Sequence, residues 1–157
     1  MTTLVNYTYD ELEIGQSASY VRTVSEQDIL LFAAVSGDTN PVHLDAEYAA
    51  TTQFGERIAH GMLTGALVSA ALALNLPGPG SVYLGQNLKF RAPVLIGDTL
   101  TIELEVAEKN DRRKQVTIQC KVLNQHGKRV ATGEALAMPP TEKLQIEKPA
   151  EPKVTIG

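Results

Sequence analysis

A single cysteine, Cys120, leaves no partner for a disulfide within the chain. That fits a reducing, cytoplasmic compartment. Its place in an alternating strand pattern reads as a half-buried thiol rather than a nucleophile. Positive charge is not in excess, with 14 lysines and arginines against 18 aspartates and glutamates, net −4. No basic block gathers on one element, which argues against nucleic acid as a partner. The small cluster Arg112, Arg113 and Lys114 reads as a hairpin turn. The first fifteen residues have no basic stretch leading into an apolar one, so no signal peptide is expected. Long apolar runs are lacking too. The uncharged stretch 58–88 is broken at Pro77-Gly78-Pro79-Gly80, and its helical part, 61–76, is 16 residues long, short of the roughly 20 that a bilayer span needs. No membrane association is expected. Cysteines or histidines paired at metal-ligand spacing are absent, so no metal is expected. No glycine-rich phosphate loop follows a strand, and Ser69 lacks the surroundings of a nucleophile elbow.

What is present describes one α+β domain. The chain has 157 residues, 43% hydrophobic and 20% charged, enough for a single core. We expect the domain to span 1–140. After Pro139-Pro140 the composition shifts to Glu, Lys and Pro, so 141–157 reads as an extended C-terminal extension on which Leu144 and Ile146 are candidates for docking. Residues 1–15 read as an irregular lead-in closed by Gly15. A strand at 17–24 is followed by a helix that starts on a capping box, Ser25 with Asp28, and ends near Ser36-Gly37. Residues 38–43 read as irregular backbone stiffened by Pro41. A short capped helix at 45–50 and a polar loop at 51–57 lead to the central helix, 61–76. That helix is apolar almost all round, so it is expected to be buried. Gly61, Gly65 and Ser69 are spaced by four and give it one small-residue face, open to a strand, another helix or a ligand. Strands at 83–92, 99–109, 114–123 and 130–138 complete a five-stranded antiparallel sheet wrapped on the helix. Such a sheet has open edges, and pairing of two copies through an edge strand would cover one.

The chemistry concentrates in 36–61. Asp38 and His43, brought together, would hold one water between a carboxylate that accepts a proton and an imidazole that exchanges one near neutral pH. Hydrating a double bond conjugated to a carbonyl needs such a base, an acid for the α-carbon, and stabilisation of the enolate oxygen. The unpaired backbone N–H of Gly61, at the N-terminus of the central helix, suits that last task. The plainer readings stand beside this one: Asp38 as a turn residue, and His43 as a loop histidine bonded to a nearby carbonyl.

Several motifs occur in order and carry a family resemblance. The run Asp38-Thr39-Asn40-Pro41-Val42-His43 resembles the hydratase 2 motif of MaoC-like (R)-specific enoyl-CoA hydratases. Ala59-His60-Gly61-Met62, Tyr83-Leu84-Gly85-Gln86, and Arg91-Ala92-Pro93-Val94 followed by Gly97-Asp98 resemble the same family's later segments. The likeness covers about 10–138 and is nearest to the hydratases that supply polyhydroxyalkanoate synthesis from fatty acid β-oxidation. It implies a hot-dog fold, homodimers with continuous sheets, and reversible hydration of trans-2-enoyl-CoA to (R)-3-hydroxyacyl-CoA without metal or redox cofactor. Carried over by position, it makes Asp38 the base and gives His43 a share of the same water. Gly61 N–H polarises the thioester carbonyl, with Ser69 and Asn40 in support. Small residues beside Ser69 at helical spacing, Ala66, Ala70 and Ala73, would line the acyl tunnel, and Lys89 and Arg91 would meet the CoA phosphates. Two rivals differ in chemistry. A thioesterase on the same scaffold would need a carboxylate on the central helix, and 61–76 contains none. A non-catalytic acyl-CoA binder would not need the Asp38–His43 pair.

Overall fold

The computed structural model describes residues 2–157. In chain order, β1 (Thr3–Val5) and a turn of 3-10 helix (Tyr9–Glu11) precede β2 (Ser17–Thr23), α1 (Glu26–Ser36), α2 (Pro41–Leu44), α3 (Ala46–Ala50) and α4 (Gly61–Leu74). Four strands follow: β3 (Val82–Phe90), β4 (Thr99–Asn110), β5 (Gln115–Leu123) and β6 (Arg129–Met138), with a short β7 (Gln145–Glu147) near the end. The main sheet has the order β2-β4-β5-β6-β3, antiparallel throughout. The meander β4-β5-β6 comes from hairpin connections, while β2 and β3 reach the two edges from either side of the helical segment.

Alternation along the strands makes the core. Leu100, Ile102, Leu104 and Val106 of β4 and Val116, Ile118, Cys120 and Val122 of β5 all point inward and are buried. They meet Leu63, Leu67, Val68, Ala71 and Leu72 of α4 in one cluster. Each large aliphatic side chain removed from water there contributes roughly 1.5–3 kcal/mol, and this burial holds α4 against the sheet.

The expected capping holds. Ser25 Oγ accepts from Asp28 N while the Asp28 carboxylate accepts from Ser25 N, and Gly37 closes α1 in the left-handed region at φ 78°. Three expectations need correction. The lead-in is not wholly irregular: Leu4 of β1 pairs with Ile146 of β7, so the extension contributes a strand to a two-stranded ribbon. Asn6, fully buried, ties that ribbon to the turn after α4 by donating to Pro79 O and Glu142 O. His43 does not lie on irregular backbone. Pro41 occupies the first turn of α2, and Asn40 Oδ1 caps it by accepting from Val42 N at 3.2 Å, because proline's fixed φ suits a helix start. Finally, α4 is buried on one side only. Met62 is 60% exposed, and Ala66 and Ala73 share that open face.

The small-residue face of α4 receives a strand. A side chain at Gly61 would meet the Phe90 ring at 3.1 Å, and one at Gly65 would meet Leu88 at 3.3 Å. Edge strand β3 thus lies over the start of α4.

Candidate active site

Asp38 is held by short-range contacts. Gly37 turns the chain out of α1, Ser36 Oγ accepts from Asp38 N at 3.1 Å, and Asn40 N donates to Asp38 Oδ1 at 3.1 Å. One carboxylate oxygen is therefore occupied, and the other, Oδ2, faces His43 Nε2 at 3.8 Å. Half of the Asp38 side chain is exposed, whereas His43 is buried.

The ring of His43 has one orientation. Its Nδ1 lies 2.8 Å from Ile58 O, and a carbonyl only accepts, so Nδ1 carries a hydrogen and in the neutral imidazole Nε2 has the lone pair. Asp38 Oδ2 and His43 Nε2 are then two acceptors too far apart and too alike to bond directly. A water at about 2.8 Å from each would donate one O–H to either side. The separation suits a shared water, and it joins the two plain readings of these residues: Asp38 does make a turn and His43 does bond a carbonyl, while their remaining acceptor atoms converge.

Arg57 fastens this corner. Its Nε donates to His43 O at 2.7 Å and its Nη1 pairs with Glu26 at 2.9 Å, so α1, α2 and the following loop are joined through one side chain. Reading 51–57 as a polar connection missed this role, because only a long-range contact reveals it.

His60, which the sequence placed only within the motif Ala59-His60-Gly61-Met62, joins Asp38 and His43. His60 is 2% exposed and stacks on His43 with ring centroids 3.8 Å apart and planes 25° apart. Asp38, His43 and His60 thus offer donor atoms within 4.8 Å of one another. Their geometry does not fit one metal ion. Imidazole binds a metal through an in-plane lone pair, and two stacked, nearly parallel rings direct such pairs side by side rather than at one point. His60 could have been noticed from the chain alone, since it directly precedes the glycine proposed to face the substrate.

Gly61 opens α4, and its N–H has no hydrogen-bond partner among the described residues. It lines a cleft of about 370 Å³ together with His60, Thr64, Phe90, Ala92 and Val94. Asp38 and His43 are not among the lining residues; His60 is what connects them to it. Ser69 lies half-buried farther along α4 and makes no hydrogen bond to Asp38 or His43. Ala66 and Ala73 are exposed and Ala70 half-buried, away from that cleft. Lys89 and Arg91 are exposed at the end of β3, where Arg91 Nε donates to Thr132 Oγ1 at 3.2 Å and its side chain borders the cleft.

The "MaoC like domain" family model matches residues 11–126. The chain belongs to the MaoC-like family. Within it, an (R)-specific enoyl-CoA hydratase of Rhodospirillum rubrum is 48% identical over 139 residues, covering 87% of this chain and 94% of that protein. An (R)-specific enoyl-CoA hydratase of Aeromonas caviae is 43% identical over 129 residues, covering 82% and 96%. The unliganded R-hydratase PhaJ1 of Pseudomonas aeruginosa superposes with a TM-score of 0.94 at 57% identity, covering 99% of this chain and all of that one. The wrapped helix of this MaoC-like chain is therefore the hot-dog fold. Among the described residues, no helix is long and apolar enough to cross a membrane.

Proposed function

We propose that this MaoC-like chain is a hydro-lyase, an (R)-specific enoyl-CoA hydratase that reversibly adds water to trans-2-enoyl-CoA to give (R)-3-hydroxyacyl-CoA. The observation that carries the reading is the pair of free acceptor atoms, Asp38 Oδ2 and His43 Nε2, 3.8 Å apart. They stand one residue contact away from an unpaired helix N-terminal N–H. The named relatives, close in sequence and matching nearly full length, support the same reaction.

In the forward direction the pair orients one water through its two O–H groups, leaving an oxygen lone pair for the β-carbon. Asp38 takes a proton as the C–O bond forms. The double-bond electrons move onto the thioester carbonyl, where Gly61 N–H and the positive end of α4 stabilise the enolate oxygen. The Asp38–His43 pair then returns a proton to the α-carbon, so that H and OH have both been added and nothing is left over. Donors and bases of this kind contribute about 10²–10⁴-fold each in rate. Ser69 and Asn40 support the site, Asn40 by fixing the Asp38 turn.

The physiological setting we infer is cytoplasmic supply of polyhydroxyalkanoate monomers from fatty acid β-oxidation. One structural neighbour at 43% identity is described as an (R)-hydratase of A. caviae involved in that biosynthesis. We further infer a homodimer through the β3 edge, where Val82, Leu84 and Phe90 are 51%, 43% and 51% exposed beside the open Met62 face of α4. In that pairing the acyl chain would run along Ala66, Ala70 and Ala73, with Lys89 and Arg91 towards the CoA phosphates. Residues 1–140 form the hydratase domain in this reading, and 141–157 an extension docked on it.

The test is loss of enoyl-thioester absorbance with crotonyl-CoA and trans-2-octenoyl-CoA, a chiral assay of the product, and the Asp38→Asn variant alongside. Rapid loss giving the (R)-product, abolished in the variant, is expected. No loss on either substrate, or release of free CoA thiol instead, would overturn the assignment.

A further inference from the structure

His60 breaks a local rule. It is the N-cap of α4 yet makes no capping hydrogen bond with its side chain. Serine, threonine, aspartate or asparagine would each satisfy one of the free N–H groups there. Its Nδ1 is buried without a partner, which costs stability. A buried histidine that serves its own helix poorly and leaves a nitrogen unsatisfied has its reason elsewhere.

That reason lies in its three contacts. Its Nε2 is 3.0 Å from Asp38 O, and since a carbonyl only accepts, the hydrogen is on Nε2. The ring is stacked on His43 with centroids 3.8 Å apart and also meets the tilted ring of Phe32 of α1 at 4.9 Å. It thus contacts residues of both α1 and α2. It touches the backbone of one member of the acceptor pair and the side chain of the other. Asn40 also joins the two, its N donating to Asp38 Oδ1 and its O accepting from His43 N at 3.0 Å, but that bond reaches the His43 backbone and not its ring. Among the described residues His60 alone combines a hydrogen bond to Asp38 with a stack on the His43 ring, while Arg57 and Ile58 bond His43 and Ser36 bonds Asp38.

We propose that His60 is a positioning residue that sets the Asp38–His43 separation, holding Asp38 through its Nε2–H and His43 through its ring face. It acts through the pair, so the rate effect expected from it rests on the hydratase reading above. A carboxylate displaced by an ångström or so no longer shares the water with His43. Misplacement on that scale costs about 10–100-fold in turnover while leaving substrate binding largely alone.

Two variants separate the donor from mere packing. His60→Phe keeps an aromatic ring between Phe32 and His43 but has no donor for Asp38 O. His60→Gln places an N–H near the position of Nε2 without the ring. We expect His60→Phe to lower kcat about 10–100-fold with KM changed by less than about twofold. His60→Gln should recover most of that loss. The thermal midpoint of His60→Phe should not fall, since the variant removes a buried unsatisfied nitrogen. In the Asp38→Asn background, His60→Phe should cost nothing further, because the group it positions is already gone. Wild-type kcat in His60→Phe, equal losses in both variants, or an undiminished loss on top of Asp38→Asn would each overturn the proposal. A crystal structure of His60→Phe decides the point independently of turnover. An Asp38 Oδ2–His43 Nε2 separation kept at the native 3.8 Å overturns it, and a pair drawn apart supports it even if the wild-type protein hydrates neither thioester and the hydratase reading itself fails.

Discussion

The segment 36–44 and the strand pair β3–β6 meet their constraints in opposite ways. The first is organised by neighbours. Ser36, Gly37, Asp38, Asn40 and Pro41 fix one another over a few residues, and the product is a half-exposed carboxylate with one oxygen free. The second is organised by distance. Gly133 of β6 lies so close to β3 that a Cβ there would be 1.9 Å from Asn87 O, and nothing within several residues of Gly133 announces it. The turn that carries Asp38 is built largely by its sequence neighbours, with His60 Nε2 donating to Asp38 O from farther along the chain. The sheet that carries it depends on contacts between residues far apart in the chain. Damage to the first should cost activity and spare folding; damage to the second should do the reverse.

Four substitutions would break or sharpen that contrast. Asp38→Asn keeps the turn, because its amide oxygen still accepts from Asn40 N, and removes the proposed base. Turnover should fall by about 10²–10⁴-fold with an unchanged unfolding midpoint, and a matching loss of stability in chemical denaturation would collapse the distinction. Gly133→Ala should destabilise the protein at the upper end of about 1–3 kcal/mol or prevent folding, measurable by urea unfolding, because the obstacle is backbone rather than a movable side chain. Asn40→Ala loses the α2 cap and should cost about 1 kcal/mol. Being at the boundary between the two behaviours, it should also lower kcat, which steady-state kinetics would reveal. The smallest effect concerns Cys120, whose thiol burial pushes up to about 11. The folded form then retains a proton that the unfolded chain releases, so stability should decline as pH rises from about 9 towards 11. Cys120→Ala should flatten that part of the stability profile.

The sequence makes local structure legible and long-range structure much less so. The Ser25–Asp28 box, the left-handed Gly37, the Asp45 cap and the alternation of β4 and β5 all depend on residues within a few positions, and each appears where expected. The five strands and the central helix follow from that periodicity. Pairing of Leu4 with Ile146, the reach of Arg57 to Glu26, and the stack of His43 on His60 are set by tertiary packing and leave no periodic trace. The exposed side of α4 is hidden from the sequence for a related reason. Apolarity all round says that a helix will be covered, but not whether the cover comes from its own chain.

The two oxygens of Asp38 are not interchangeable, since Oδ1 is committed to Asn40 N and only Oδ2 looks towards His43. A free carboxyl group would rotate and scramble them. Here rotation means giving up the bond from Asn40, so in the proposed reaction a proton captured on Oδ2 would stay on the side facing His43. The side on which that proton is held would then depend on a single backbone amide two residues along the chain.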